Sequence, residues 1–293
     1  MKWEGQRESS NVEDRRGDAG GGGGFGFGGR SIGIGSIVIA LVGGWVLGVN
    51  PLTLLNLLSG GSGGPVAQQP REPAGPPPAD DRSARFVSTV LASTEDVWTE
   101  LLQAQGGRYL PARLTLFRGA TPTACGRGQA AMGPFYCPAD QHVYIDLGFF
   151  DTLERRLGAP GDFAQAYVIA HEVGHHVQHL LGITEQVERA RAGGSQARAN
   201  AASVRLELQA DCLAGLWAHH SQQAKGWLEQ GDVEEALNAA AQIGDDTLQR
   251  RSQGTVVPES FTHGSSEQRA YWFKRGLQSG SLQQCDTFAQ REP

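Results

Sequence analysis

The stretch Tyr167-Val-Ile-Ala-His-Glu-Val-Gly-His-His-Val-Gln-His-Leu-Leu181 contains the pattern H-E-x-x-H at residues 171–175. Residues four apart share one face of a helix, so the imidazoles of His171 and His175 can bind a single metal ion. Glu172 then lies beside that ion, where a carboxylate can take a proton from water. The pattern indicates Zn²⁺ as the metal.

The residues around this pattern favour a helix. Asp162 is predicted to cap its start, with Gln165 as a capping-box partner, and Gly182 follows its end. The small residues Ala170 and Gly174 would let a neighbouring element approach closely. In the alternative interpretation both histidines are packed core residues, but the glutamate between them would then be drawn toward the core without a purpose.

A third metal ligand has to come from outside the helix. His179 lies eight residues after the first ligand, about 12 Å along the axis, which is too far for bonds of about 2 Å. The extended metzincin pattern also fails, because the positions that it needs are Gln178 and Leu181.

The run Glu207-Leu-Gln-Ala-Asp211 supplies the missing groups. It falls in a predicted helix over 201–220, where the two carboxylates sit one turn apart on one face. Glu207 is the predicted third ligand, and Asp211 is predicted to accept the N–H of a ligand histidine and so fix its tautomer. The alternative is a solvated pair of acidic residues.

H-E-x-x-H followed by E-x-x-x-D resembles the gluzincin metallopeptidases, and residues 110–285 resemble the bacterial neutral zinc metallopeptidases. The segments that carry the second resemblance are Thr123–Gly126, Gly133–Pro138, Val143–Leu147, Glu207–Cys212 and Ser260–Gly264, together with the Met1-Lys-Trp-Glu start and one apolar span. The resemblance implies a membrane-anchored zinc peptidase that acts on a peptide or protein substrate. The expected fold is α+β, a mainly helical zincin-like domain with a small β-sheet.

The expected reaction is peptide hydrolysis in which Glu172 is the general base. The segment Thr262–Arg269 resembles a T-H-P-x-x-x-x-R stretch of other gluzincins, whose histidine helps to hold the oxyanion, although Gly264 replaces the usual proline. His263 is therefore a candidate catalytic residue, or otherwise a capping or packed residue. Tyr144 is a second candidate for the oxyanion.

A function of another class is a membrane-tethered binding or assembly module whose zinc is only structural. Glu172 discriminates between the two, because a structural site needs no general base and usually has four protein ligands.

The N-terminal part of the chain predicts three segments before a metallopeptidase domain at 84–293. Residues 1–31 are polar and glycine-rich and are predicted to form a flexible tail. Residues 32–58 carry no charge and, at roughly 40 Å as a helix, are long enough to span a bilayer. Residues 59–83 form a Gly- and Pro-rich linker.

Five Lys or Arg residues precede this span, which predicts a cytoplasmic tail and an extracytoplasmic domain in the cell membrane. Gly44 and Gly48 form a G-x-x-x-G pair that could support a homodimer. The net charge of −6 argues against a nucleic-acid partner.

All four cysteines follow the predicted span, as expected for two disulfides in an oxidising compartment. Three pairings are possible. Cys125 with Cys137 is favoured, because these residues bracket a short turn-rich segment, and this pairing leaves Cys212 for Cys285.

The remaining periodicity predicts helices at 85–105, 233–250 and 265–277 and strands at 113–117 and 142–147. The polar run 184–200 is predicted to be a mobile connection. The second strand is either an ordinary sheet strand or an open edge to which a substrate peptide adds.

Overall fold

The computed structural model describes residues 1–18 and 75–289. In this part of the chain the helices are α1 (Arg82–Ala104), α2 (Gly148–Arg155), α3 (Asp162–Leu180), α4 (Ile183–Ala192), α5 (Gln196–Lys225), α6 (Asp232–Gln242), α7 (Asp245–Gln253) and α8 (Ser266–Ser279). The strands are β1 (Val12–Asp14), β2 (Arg113–Phe117), β3 (Ala120–Thr123), β4 (Gly126–Gln129), β5 (Phe135–Cys137) and β6 (His142–Asp146). The expected α+β class, mainly helical with small sheets, is confirmed.

Two stretches differ from the expected secondary structure. The polar run 184–200 contains most of α4 and the start of α5, so it is largely helical rather than a mobile connection. Residues 233–250 form parts of two helices, α6 and α7, because the chain leaves helical geometry at Ile243 and Gly244.

A four-stranded sheet has the order β1-β2-β6-β5. Strands β1, β2 and β6 are parallel, and β5 is antiparallel to β6. The register pairs Leu114 with Val143 and Leu116 with Ile145, and all four side chains are buried. Their alternation places them on one face of the sheet, as expected for strands that pack against helices.

The hypothesis that strand 142–147 offers an open edge to substrate is wrong. All five residues of β6 pair with β2 on one side, and His142, Val143 and Tyr144 pair with β5 on the other. Its backbone groups are therefore largely used within the sheet. The edge beyond β6 belongs to β5 instead.

Residues 1–18 pack against the helices, so the expectation of a flexible tail over 1–31 is wrong for this segment. Trp3 is buried, with its ring 5.3 Å from that of Phe86 in an edge-on arrangement. Val12 is buried in β1, and the backbone N–H of Lys2 donates to the carbonyl of Trp227. The composition of residues 1–31 is dominated by glycine and charged residues. It therefore gives no sign of the few apolar side chains, such as Trp3 and Val12, that are buried against the rest of the protein.

Within residues 1–18 and 75–289, no helix is long and apolar enough to cross a membrane. The predicted single-pass localisation is contradicted, and the pairing of β1 with β2 provides a second reason. These strands lie on either side of the predicted span in sequence, and one crossing would place them on opposite sides of the bilayer. The span at 32–58, with Gly44 and Gly48, lies outside the described residues.

Helix α3 packs closely against α5 at Gly174. A Cβ atom at this position would lie 3.1 Å from the carbonyl oxygen of Ala210, so the expected close approach of a neighbouring element is observed. Asp211 follows Ala210 directly and Glu207 precedes it by three residues on α5, so this contact sets how near their side chains come to α3.

Helices α5 and α8 cross at a pair of glycines. A Cβ atom on Gly276 would overlap the carbonyl oxygen of Cys212, and one on Gly215 would overlap that of Phe273. Backbone is therefore packed on backbone at this crossing, and neither position has room for a side chain.

We expect Gly276→Ala to lower the free energy of unfolding by about 1–3 kcal/mol, because α8 must move away from α5. Alanine has a higher helix propensity than glycine, by about 1 kcal/mol, which would stabilise the variant. A fall in the free energy of unfolding would therefore come from the steric overlap. Urea unfolding monitored by circular dichroism measures the difference. Gly193→Ala is the control, because Gly193 has negative φ and open space around it. Equal stability of Gly276→Ala and the parent would contradict the expectation.

Both favoured disulfide pairings are confirmed. Cys125 is bonded to Cys137, and Cys212 to Cys285. The second bond ties the short 3₁₀ helix Leu282–Cys285 to α5, one residue after Asp211.

Candidate metal centre

The N-terminus of α3 is held by groups from distant parts of the chain. Asp162 is the first helical residue rather than the cap, and its carboxylate accepts a hydrogen bond from the Trp3 indole at 2.8 Å. The backbone N–H of Phe163 donates to the Glu235 carboxylate at 3.1 Å. A glutamate of α6 therefore caps the helix that carries the H-E-x-x-H pattern, and the predicted Asp162 cap is wrong.

The structure brings His171, His175 and Glu207 together. Glu207 Oε2 lies 3.2 Å from His171 Nε2 and 3.5 Å from His175 Nε2, and the ligand atoms of all three residues lie within 4.8 Å of one another. In a tetrahedral site with bonds of about 2.0–2.1 Å, neighbouring ligand atoms are about 3.3 Å apart. Both carboxylate distances match this spacing, so the cluster can hold a metal ion and its donor set fits zinc.

Asp211 lies behind His171 and is fully buried. Its Oδ1 accepts hydrogen bonds from His171 Nδ1 at 2.8 Å and from the Tyr167 hydroxyl at 2.5 Å. Arg269 binds both carboxylate oxygens, with Nε 2.8 Å from Oδ2 and an Nη2 contact of 2.9 Å to Oδ1. Burial alone would raise the pKa of Asp211, but the charges of Arg269 and His171 lower it to about 2. The ionised carboxylate directs Nε2 of His171 toward Glu207.

Gln178 orients His175 in the way that Asp211 orients His171. The Gln178 Oε1 atom lies 2.8 Å from His175 Nδ1, and the Gln178 side chain is fully buried. An amide oxygen can only accept, so Nδ1 carries the proton and Nε2 keeps its lone pair for a metal.

Glu172 is buried beside the cluster. Among the described residues, no group donates a hydrogen bond to its carboxylate, so its oxygens are available to a water molecule. Burial raises the pKa of Glu172. Burial alone would also raise the pKa of Glu207, but the nearby charges of His175 and His263 lower it well below its usual range.

His263 lies at the edge of the site, with 52 % of its side chain exposed. Asp245, at the start of α7, holds the surrounding loop through its Oδ2, which accepts the backbone N–H groups of Thr262, His263 and Gly264 at 2.6, 2.7 and 3.1 Å. The second oxygen of Asp245 lies 3.3 Å from His263 Nδ1. This arrangement leaves the Nε2 side of the ring for another partner.

The other histidines of α3 and Tyr144 have different partners. His176 is buried, and its ring nitrogens contact the Tyr136 hydroxyl at 3.0 Å and the Leu110 carbonyl at 2.6 Å. His179 Nδ1 lies 2.6 Å from Glu185. The Tyr144 hydroxyl donates to Asp140 at 2.9 Å, so the structure does not bring it to the cluster.

Comparisons with known proteins agree with this geometry. A family model described as "Putative neutral zinc metallopeptidase" matches residues 1–288. The chain belongs to this family. Escherichia coli (strain K12) "Uncharacterized protein YpfJ" is 53% identical over 289 residues, covering 98% of this chain and 99% of that protein. Mycobacterium tuberculosis (strain ATCC 25618 / H37Rv) "Uncharacterized protein Rv2575" is 40% identical over 219 residues, 70% of this chain and 72% of that protein. No solved structure matches the chain.

Membership of the neutral zinc metallopeptidase family confirms the resemblance to that family, which also makes zinc the expected metal. Sequence reasoning assigned no role to three residues around the cluster, Tyr167, Gln178 and Arg269. Spacing offers a partial signal for two of them, because Tyr167 precedes His171 by four residues and Gln178 follows His175 by three. Arg269 ends the T-H-G-x-x-x-x-R segment that sequence analysis noted only for its histidine.

Proposed function

We propose that this protein is a zinc-dependent peptidase that hydrolyses peptide bonds in peptide or protein substrates. The observation that carries the proposal is the placement of the buried Glu172, whose carboxylate has no hydrogen-bond donor among the described residues, beside a His171, His175 and Glu207 cluster of metal-binding dimensions. The family description supports the same class of enzyme.

The roles of the residues follow from their positions. Zinc in such a site supplies a lowered water pKa, toward about 7, and polarises a carbonyl group. Glu172 takes a proton from the attacking water and passes it to the leaving amine nitrogen. His263, as an imidazolium whose Nδ1–H faces Asp245, donates from Nε2 to the oxygen that gains negative charge. Asp211 keeps His171 in the tautomer that leaves Nε2 unprotonated.

A structural zinc site in a binding or assembly module fits the cluster less well. Structural sites are usually closed by four protein ligands, whereas the described residues contribute three. Burial of the Glu172 carboxylate is costly, as its raised pKa indicates, and a site that only holds metal gives no reason for that cost. A set of three candidate ligands with this carboxylate beside it favours catalysis.

The ligand assignment predicts that the purified full chain binds about one zinc ion and that Glu207→Ala binds well below one equivalent. Hydrolysis of casein or a peptide library should fall in parallel with the zinc content. The full chain is the appropriate protein, because residues 1–18 belong to the fold. Zinc content measured by inductively coupled plasma mass spectrometry tests the first expectation.

Glu188→Ala is the matched control, because Glu188 is exposed and pairs with Arg191, at 2.7 Å, rather than with the cluster. It should keep both zinc and activity. If Glu207→Ala keeps a full equivalent of zinc, the ligand assignment is wrong. If the parent binds zinc and cleaves no peptide in the library, the binding module becomes the better description.

A further inference from the structure

Two buried glutamines form a chain of hydrogen bonds behind His175. Gln178 Oε1 accepts from His175 Nδ1 at 2.8 Å, and Gln178 Nε2 donates both to the Leu206 carbonyl at 2.7 Å and to Gln209 Oε1 at 3.0 Å. Two oxygen acceptors therefore take the amide N–H groups of Gln178. The amide has one stable orientation, with its oxygen toward His175.

The chain continues to the C-terminal part of the protein. Gln209 Nε2 donates to the Cys285 carbonyl at 3.0 Å. This bond fixes the orientation of the Gln209 amide, with its oxygen toward Gln178. Cys285 is bonded to Cys212, three residues after Gln209 on α5. The end of the hydrogen-bond chain is therefore attached to the same helix that supplies Glu207 and Asp211.

We propose that Gln178 and Gln209 are positioning residues that fix the tautomer and ring orientation of His175 through a two-amide relay. The inference rests on the proposed function only in taking zinc as the metal, because it concerns metal binding rather than hydrolysis. His171 is oriented by a carboxylate that Arg269 neutralises. His175 is oriented by a neutral acceptor, so no second buried negative charge is needed.

The chemistry of the relay also shows why glutamate cannot replace Gln178. A carboxylate would still accept from His175, but it would face the oxygens of Leu206 and Gln209 with no N–H to offer them. Repulsion in a buried site would turn the side chain away or protonate it. The relay therefore requires an amide at this position.

The test is the zinc affinity of the full chain, measured by competition with a chromophoric chelator. We expect Gln178→Leu to bind zinc about 10–100-fold more weakly than the parent, as for other partners of ligand histidines. Gln178→Glu should also bind more weakly. Gln209→Leu should show a smaller loss, because it removes only the support behind Gln178.

Gln249→Leu is the matched control. Gln249 is also buried and also uses both ends of its amide, toward Ser260 and the Val257 N–H, but neither hydrogen bond goes to His171, His175 or Glu207. Its zinc affinity should equal that of the parent. This control separates a specific effect on the metal from the general cost of removing a buried amide.

The relay is wrong if folded Gln178→Leu, checked by circular dichroism, binds zinc as tightly as the parent. Unchanged affinity in Gln209→Leu would equally overturn it. If Gln178→Leu does not fold, Gln178→Met, which keeps the side-chain length without the hydrogen bonds, replaces it. Peptide cleavage is not measured here, so failure of the relay leaves the proposed peptidase function intact, and an inactive protein leaves the affinity result valid.

Discussion

Glu172→Gln is expected to lower kcat for peptide hydrolysis by about 10²–10⁴-fold, the usual contribution of a general base. The amide has nearly the same shape as the carboxylate but cannot accept a proton. Its position outside the set of three ligands predicts that the variant keeps its full zinc content. Initial rates with a fluorogenic peptide and zinc content on the same sample provide the two measurements.

The control for this experiment is Glu188→Gln, an exposed glutamate that should retain parental rates. The combination of lost activity and retained zinc distinguishes the general base from a ligand. A Glu172→Gln variant that cleaves peptides as fast as the parent would refute the mechanism. A variant that loses zinc would instead show that Glu172 supports the metal site itself.

The cluster was predictable because its spacing is local. His171 and His175 are four residues apart on one helix, as are Glu207 and Asp211 on another. Helical geometry alone places the members of each pair on one face. The only nonlocal step was to bring the two helices together, and the small residue Gly174 signalled a close contact.

Apart from Asp211, the residues behind the three candidate ligands were not predictable from spacing alone. Arg269 reaches Asp211 from α8, 58 positions later in sequence, and Gln209 meets the carbonyl of Cys285 after 76. Such contacts depend on how helices cross, which glycines such as Gly276 decide through close packing. Polar residues that are this far apart in sequence have no regular spacing, so the sequence does not show that they are in contact.

The wrong predictions for strand 142–147 and for residues 1–31 have a similar origin. The strand at 142–147 was identified correctly, but strand order is nonlocal, and β5 rather than β6 lies at the edge. The composition of residues 1–31 predicts a flexible tail, whereas the Trp3 indole donates a hydrogen bond to Asp162 at the start of α3. An average over a glycine-rich segment gives little weight to one buried tryptophan, although its burial is worth several CH₂ groups.

Arg269→Met should lower the free energy of unfolding of the metal-free protein by about 3–5 kcal/mol. Arg269 and Asp211 are both almost inaccessible to solvent, and removal of the guanidinium leaves a buried carboxylate without its main counter-charge. Methionine fills a similar volume, so the loss reports charge rather than a cavity. Urea unfolding with chelator present measures this difference.

Two further variants decide whether charge is the cause. Arg275→Met on the same helix removes a half-buried arginine that lies over Trp272 and, among the described residues, has no buried carboxylate partner, so it should change stability by less than about 1 kcal/mol. Addition of Asp211→Asn to Arg269→Met removes the unpaired charge and should recover part of the lost stability. It should not recover the zinc affinity, because the neutral amide is a weaker acceptor for His171 than the carboxylate. If the double variant is no more stable than Arg269→Met, packing rather than charge explains the arginine.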